Sequence, residues 1–286
     1  MKLIIEDLLR DLKPGQTIDF VTNVTRPLAS RFLLGEFLRI PPEDHRIMLD
    51  YVASWSLLDE MKPGDSKPKA YMDAWNAGVE YCKVQVSRAR VVQPNTVVAD
   101  VAAAYESGAL TDGELMAMMV LLYVSGITSI PAAAGACLLN IARHPGLAQR
   151  VNSDPALAVK VLDESLRLDA PVLNVLRFAK ENVSVDGVGI PEGMPVYIMV
   201  AAACHDPAVW PDPGKFDIER PNLGNHIAFG FGMHTCMGNA ITRAIVPLFV
   251  TEVTRRFPNL RLADPARVSW VTTPRTRDVD TLELTL

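Results

Sequence analysis

Cysteine is scarce in this chain of 286 residues, and the few present do not pair in sequence. Cys82, Cys137, Cys204 and Cys236 are widely spaced with no CxxC among them, which argues against a disulfide framework or a zinc site and for reduced thiols in the cytosol. Strong charge is missing too. With a formal net charge of −5, the bulk electrostatics give no reason to expect nucleic acid or an anionic membrane surface as partner. A neutral or apolar small molecule is the natural expectation. The N-terminal stretch MKLIIEDLLRDLKPG has acids inside its apolar run and lacks an h-region with a small-residue cleavage site, so no secretory signal is expected. Internal repeats and low-complexity segments are also lacking.

Charge disappears altogether between Leu115 and Ala142, a run long enough for a transmembrane helix. Ser125, Gly126, Thr128, Ser129 and Pro131 sit in its middle, however, where lipid offers polar groups no partners. A helix buried all round at the centre of a large helical protein gives the same pattern. The chain has no second span, aromatic belt or flanking basic cluster, so the buried helix is the expectation and a membrane span the alternative.

Helical spacing dominates the first two thirds of the chain. Met1 to Leu12 and Val21 to Phe37 carry apolar residues three and four apart, separated by Pro14-Gly15, and RIPPED from Arg39 supplies a further stop and restart. Thr111-Asp112-Gly113-Glu114 reads as a capping box that starts the long uncharged helix, which stops at RHPG. Ser153-Asp154-Pro155 is expected to cap a helix through Leu168. After Pro171 the texture changes to short alternating runs with Gly and Pro turns, read as strands with a hairpin. Beyond the loop Asp206–Gly224, a helix is expected from about Cys236 to Phe257, and VDTLELTL reads as a last strand. The fold class is mainly α within α+β, one domain over 1–286 that is helical over 1–170 and strand-rich over 171–286.

The chemistry concentrates in IAFGFGMHTCMGNA, Ile227 to Ala240. A thiolate ligand must be kept ionised and shielded, and the amides at a helix N-terminus point partial positive charge at a sulfur placed there. Gly230, Gly232 and Gly238 permit backbone conformations and close approaches that side chains block, so a flat cofactor can lie against the loop. Such a thiolate suits an axial ligand to haem iron. On loop chemistry alone, a buried cysteine in a glycine-rich turn is an equal alternative.

FGFGMHTCMG, Phe229 to Gly238, matches the signature FxxGxxxCxG, and the chain thereby resembles the cytochrome P-450 family of haem-thiolate monooxygenases, in its soluble bacterial form. Other stretches carry the resemblance in the right order. Glu164-Ser165-Leu166-Arg167 matches the family's ExxR, Phe216 to Pro221 resembles the arginine-containing segment that completes that network, and HIAFG and CHDPAVWPDPGKF resemble further family stretches. The resemblance implies the P-450 fold, with the uncharged run as its central I helix. It implies Cys236 as the proximal iron ligand of haem b, with Phe229 beside the sulfur. It further implies Glu164, Arg167 and Arg220 as the structural network behind the cysteine loop, and Arg177, His226 and His234 as contacts to the haem propionates. Cys82, Cys137 and Cys204 are left as core.

Two departures from the family pattern bear on mechanism. The I helix usually carries an acid followed by threonine; here Ser125-Gly126-Ile127-Thr128-Ser129 puts Thr128 for the acid and Ser129 for the threonine. Hydroxyls relay protons but do not supply one from an ionisable group, so Gly126, Thr128 and Ser129 are the candidate catalytic positions with a weakened relay. The alternative is that these hydroxyls bond back to helix carbonyls and do no chemistry. Pro131 removes an N–H and crowds the Ile127 carbonyl, so a kink is expected there. By the resemblance Met1 aligns with the D helix region, leaving the N-terminal strands and the B and C helices without counterpart. A fragment, a homodimer or second chain covering the gap, and a reduced relative that no longer oxidises anything compete to explain it. The function implied is monooxygenation of a small apolar substrate in the cytoplasm, with electrons from NAD(P)H through a ferredoxin-type partner, without nucleic acid or membrane. The alternative is a non-catalytic haem-binding or auxiliary protein. Substrate specificity is expected to reside partly in loops around Trp55 to Trp75.

Overall fold

The structure, a computed structural model, describes residues 1–54, 57, 65–92 and 95–286, so Trp55 and some of the expected specificity loops lie outside the described residues. The chain forms two compact units, one of Met1–Asp11 and Thr22–Pro131, the other of Leu12–Val21 and Ala132–Leu286.

The first unit is helical. Helix α1 (Lys2–Leu9) buries Ile5 and Leu9, four residues apart and so on one face. The expected helix from Val21 to Phe37 is helical but not regular. Its centre, α2 (Arg26–Ser30), has Pro27 in the first turn, and Arg31–Phe37 is wound as a π-helix. Three further helices, α3 (His45–Ala53), α4 (Lys69–Val92) and α5 (Val97–Glu106), join the N-terminal half of α6 (Asp112–Arg143) around a shared core. Leu34, Leu38, Met48, Tyr51, Cys82, Ala102, Met119 and Tyr123 belong to it. Trp75, described where Trp55 is not, packs edge-on to Tyr51 with ring centroids 5.7 Å apart. The capping box forms as expected: the Thr111 N–H donates to Glu114 Oε2 at 2.9 Å, and the Glu114 N–H donates to Thr111 Oγ1 at 3.3 Å. The Thr111 N–H and the Thr111 hydroxyl, which also donates to Oε2 at 2.8 Å, hold the Glu114 carboxyl below its usual range, so protonating it in acid weakens the cap.

Helix α6 runs unbroken through Pro131. It is long and apolar enough to cross a membrane, yet every residue from Ile130 to Ile141 is buried within the protein. That all-round burial is what an uncharged run in a protein interior requires, and it holds for this half of the run only: of Met116–Ser129, Met119 and Tyr123 are buried and the rest are half-buried or exposed.

In the second unit, α7 (Leu147–Ser153) and α8 (Leu157–Leu168) pack with α10 (Asn239–Arg256), burying Val151, Val161, Leu162, Val246, Phe249 and Val250. Within the expected cap Ser153-Asp154-Pro155, the bonding residue is Asp154. Ser153 ends α7, and the Asp154 carboxylate accepts the Ala156 N–H at 3.1 Å, so the turn before α8 is closed by Asp154. The strand region after Pro171 forms two antiparallel pairs, β2 (Val175–Phe178) with β5 (Pro195–Ile198), and β3 (Val183–Val185) with β4 (Val188–Ile190). Between β3 and β4 the Asp186-Gly187 turn has φ of 48° and 81°, the two positive values that a tight hairpin needs. A four-residue helix, α9 (Val200–Ala203), follows β5.

The C-terminal tail is two strands, not one. β8 (Arg277–Thr281) pairs with β7 (Ser269–Thr272), whereas β9 (Glu283–Thr285) lies between β1 (Thr17–Asp19) and β6 (Arg261–Leu262). Leu282 makes the break: it is fully buried, its N–H donates to Asp19 Oδ1 at 3.0 Å, and its carbonyl accepts the Phe20 N–H at 2.8 Å. Bonds to the 19–20 segment replace the ladder at that residue and send the chain into a second sheet.

Candidate functional site

The site is built on α8, whose last two turns are almost wholly buried. Glu164 and Arg167 stand three residues apart, on one face, and both side chains are fully buried. Arg167 donates from Nε to Glu164 Oε2 at 2.7 Å and from Nη2 to Oε1 at 2.9 Å. Its remaining donors reach backbone carbonyls: Nη1 to Cys204 at 3.0 Å and Pro213 at 2.8 Å, and Nη2 to Lys215 at 3.1 Å. Arg220 joins the same carboxylate, Nε to Oε1 at 3.0 Å, and also binds the carbonyls of Pro211, Asp212 and Lys215. The Asp217 N–H adds a further bond to Oε1 at 2.8 Å. One carboxylate and two guanidiniums thus bind the irregular backbone of 204–220, supplying partners that a loop without a ladder cannot give itself.

Ahead of α10 lies the cysteine loop. Its helix starts at Asn239, three residues later than the apolar spacing indicates, because the Cys236 amide is taken up in a turn. The Cys236 N–H donates to the Phe229 carbonyl at 2.8 Å, and the Cys236 carbonyl accepts the Asn239 N–H at 3.2 Å. The thiol therefore stands at the mouth of α10, outside it. Gly230 and Gly232 hold φ of 72° and 71°, left-handed values that ordinary residues avoid. Gly238 is the N-cap, where an added Cβ lies 3.6 Å from the Cys236 sulfur.

A side chain at position 230 would be strained by its φ and would stand 3.4 Å from the His234 carbonyl oxygen. Gly230→Ala is expected to cost about 1–2 kcal/mol, read as a lower midpoint in denaturant titration. Gly224→Ala, with no neighbour within 4 Å of its Cβ and no left-handed φ, is the control and should leave the midpoint near the parent's.

Of the four cysteines, Cys236 alone is exposed. Burial raises the other three thiols, to about 12 for Cys82 and Cys137 and in the same direction for Cys204, so these stay protonated and inert. Around Cys236 in sequence the apolar side chains of Phe231, Met233 and Met237 also face solvent, at 88%, 93% and 60% exposure. From His226 to Gly238 the loop contains no acid. The surface so formed presents one thiol in an apolar setting.

The remaining candidates divide. His234 is exposed, and Arg177 on β2 is half-buried, its Nη1 donating to the neighbouring Leu176 carbonyl at 2.8 Å. His226 is buried with both ring nitrogens in contact within the chain, Nδ1 with the Ala228 N–H and Nε2 with Asp163 Oδ1, each at 3.2 Å. It has no nitrogen left for a propionate. Gly126, Thr128 and Ser129 lie in the first unit. The Ser129 hydroxyl donates to the Ser125 carbonyl at 2.6 Å, a back-bond within the helix. At Gly126 an added Cβ would stand 3.1 Å from a Leu33 methyl, so close packing on Leu33 is one reason for glycine there.

Two residues that the sequence analysis does not single out belong to the same assembly. Asp163 accepts from Arg243 Nη1 at 2.6 Å as well as facing His226, and the Arg243 guanidinium lies 5.3 Å from the Phe229 ring centre. Their signal in sequence is weak: an acid beside the ExxR, and an arginine two helical turns past the cysteine.

The family model for cytochrome P450 matches residues 79–263. The chain is 33% identical to cytochrome P450 107B1 of Saccharopolyspora erythraea over 93% of its own length and 64% of that protein's. It is 26% identical to the biotin biosynthesis cytochrome P450 of Bacillus subtilis, over 91% of its own length and 65% of that protein's. It thus spans slightly under two thirds of both relatives. Among solved structures it superimposes on the P450 monooxygenase TamI, bound to tirandamycin C, with a TM-score of 0.85, 28% identity and coverage of 100% of this chain and 69% of that one. On CxnD, a P450 enzyme for C–S bond formation in chuangxinmycin biosynthesis, the TM-score is 0.88 at 24% identity, covering 99% and 69%. A cysteine loop of this pattern, a buried Glu–Arg–Arg cluster behind it and a family match over most of the chain converge: the protein belongs to the cytochrome P450 family.

Proposed function

We propose that the chain is the haem-carrying core of a monooxygenase that inserts one oxygen atom of O2 into a small apolar organic molecule, with electrons from NAD(P)H delivered by a ferredoxin-type partner in the cytoplasm. The observation that carries this reading is the exposure of one cysteine among four, on an acid-free loop whose apolar side chains stand in solvent. These residues fit a haem b. Cys236 offers the sulfur ligand, Gly230 and Gly232 keep the loop backbone narrow, and Arg177 and His234 offer N–H donors for the two propionates. His226 we assign inside the loop instead, since both its nitrogens are taken.

When bound, haem on a cysteine thiolate supplies the activation of dioxygen, the sulfur pushing electron density toward O–O cleavage. The chain's residues serve it. Phe229, packed against the His226 ring at 5.8 Å, carries the carbonyl that holds the Cys236 amide, and we assign its ring to covering the sulfur once haem is in place. On the long helix the Ser129 hydroxyl, which donates its hydrogen bond to the Ser125 carbonyl, is left to act as an acceptor, and Thr128 is the hydroxyl assigned to order a water. Gly126 is assigned with them, as the third position of that stretch. A homodimer, or a second chain, is proposed to cover the part of the family fold that has no counterpart in this chain; light scattering on the haem-loaded protein that returns a monomer, and no second chain, removes that element of the proposal.

The test is spectroscopic. Protein loaded with haem, reduced and exposed to carbon monoxide should show the strongly red-shifted Soret band of thiolate ligation, and NAD(P)H consumption with a ferredoxin system should track an oxygenated product. A band without the red shift removes the reading. One observation favours a second reading, a non-catalytic haem-binding or auxiliary protein: Ser125 to Ser129 contains no ionisable group, and the Ser129 proton is committed to a carbonyl. The red-shifted band with no product formed at any electron supply selects it.

A further inference from the structure

Asp163 precedes Glu164 by one residue but serves a different loop. All the bonds of Glu164 described above lie within 164–220, whereas Asp163 faces His226 and Arg243, which flank the cysteine on either side in the chain. Its side chain is 10% exposed, and Oδ1 is shared by His226 Nε2 at 3.2 Å and Arg243 Nη1 at 2.6 Å. The Ala228 N–H donates to His226 Nδ1, which leaves the ring proton on Nε2, directed at Asp163. Each partner then reaches the cysteine by its own route. The His226 ring lies 5.8 Å from the Phe229 ring, and the Phe229 carbonyl accepts the Cys236 N–H. Arg243 donates from Nε to Asn239 Oδ1 at 2.8 Å, and the Asn239 N–H donates to the Cys236 carbonyl. The guanidinium also lies 5.3 Å from the Phe229 ring, joining the two routes. Both backbone bonds of Cys236, one on its N–H and one on its carbonyl, therefore end on residues tied to a single buried carboxylate.

We infer that Asp163 is a positioning residue for Cys236, acting through His226 and Arg243 to clamp the peptide that carries the sulfur. The loop needs such a clamp because it has no ladder and contains two glycines at left-handed φ, whose freedom in an unclamped chain is large. Outer groups that orient a ligand generally change metal affinity when removed. The inference rests on the haem-thiolate reading proposed above, so its test carries one arm that does not need haem.

In the haem-loaded protein, Asp163→Leu is expected to lower haem affinity by about 10-fold and to divert a fraction of the reduced carbon monoxide complex from the red-shifted band to an unshifted one. Asp163→Asn, which keeps an oxygen acceptor for both partners, should recover most of that band. In the haem-free chain, the rate at which a disulfide reagent labels Cys236 should depart from the parent's in Asp163→Leu and less in Asp163→Asn. The other three thiols are buried and should label only on unfolding. Where Asp163→Leu does not fold, Arg243→Met carries the same expectations from a side chain that is already 31% exposed. A parental band and labelling rate in the folded variants overturn the inference, as does an Asp163→Asn variant as impaired as Asp163→Leu. Should the parent itself show no red-shifted band, the haem-thiolate reading fails, while the labelling rates still decide whether Asp163 positions Cys236.

Discussion

Glu164→Ala is expected to destabilise the folded protein by about 3–5 kcal/mol, the cost of stranding buried charge, which is a large fraction of the roughly 5–15 kcal/mol that typical proteins have. The carboxylate balances two guanidiniums whose side chains are 0% and 7% exposed, so water cannot take over when it is removed. Arg167 would keep its carbonyl partners at Cys204, Pro213 and Lys215 but lose its countercharge. Denaturant titration checks the size of the loss, and repeating it in high salt checks the cause. A buried pair is poorly screened, so the difference between variant and parent should hardly change with ionic strength. Glu219 gives the contrast: it bridges Arg150 and Lys160 at 55% exposure, and Glu219→Ala should have a small effect that salt erases. A Glu164→Ala variant with the parent's midpoint would mean that the cluster does not hold 204–220.

Cys236→Ala is expected to do the opposite, abolishing the red-shifted carbon monoxide band outright while leaving the haem-free chain as stable as the parent. The side chain is exposed, and the two backbone hydrogen bonds at this residue are ones that alanine keeps. No stabilising burial is therefore removed with the sulfur. Haem, if retained at all, would rest on Arg177, His234 and the apolar side chains, without a ligand strong enough to shift the spectrum. Cys137→Ala provides the internal check, since that thiol is fully buried: its removal should lower stability through the cavity it leaves and spare the spectrum. Retention of the red-shifted band by Cys236→Ala would end the assignment of residue 236 as ligand.

The two experiments separate what is local from what is not. Everything decided within a few residues was open to reading from the chain: the Thr111–Glu114 box, the long uncharged helix, the break at Pro171, and the glycine-rich loop with its cysteine. Each depends on caps, periodicity or backbone freedom, which act over one or two turns, and the ExxR pair is itself local. What residues far apart decide among themselves was not. The strand β1 is invisible in a segment of three residues, and becomes one because Thr17 finds Thr285 at the far end of the chain. The tail splits at Leu282 because Asp19 and Phe20 take its backbone groups, and α10 starts at Asn239 because Phe229 takes the Cys236 amide. Asp163 and Glu164 are adjacent acids on one helix, yet one meets the histidine and arginine around the cysteine and the other the arginine cluster of the 204–220 loop. Adjacent residues on a helix point about 100° apart, so the choice of partner was made by the packing of the surrounding loops around α8. The thiol, its glycines and the pair behind it were written in the sequence; which carboxylate steadies which loop was settled only when the chain closed.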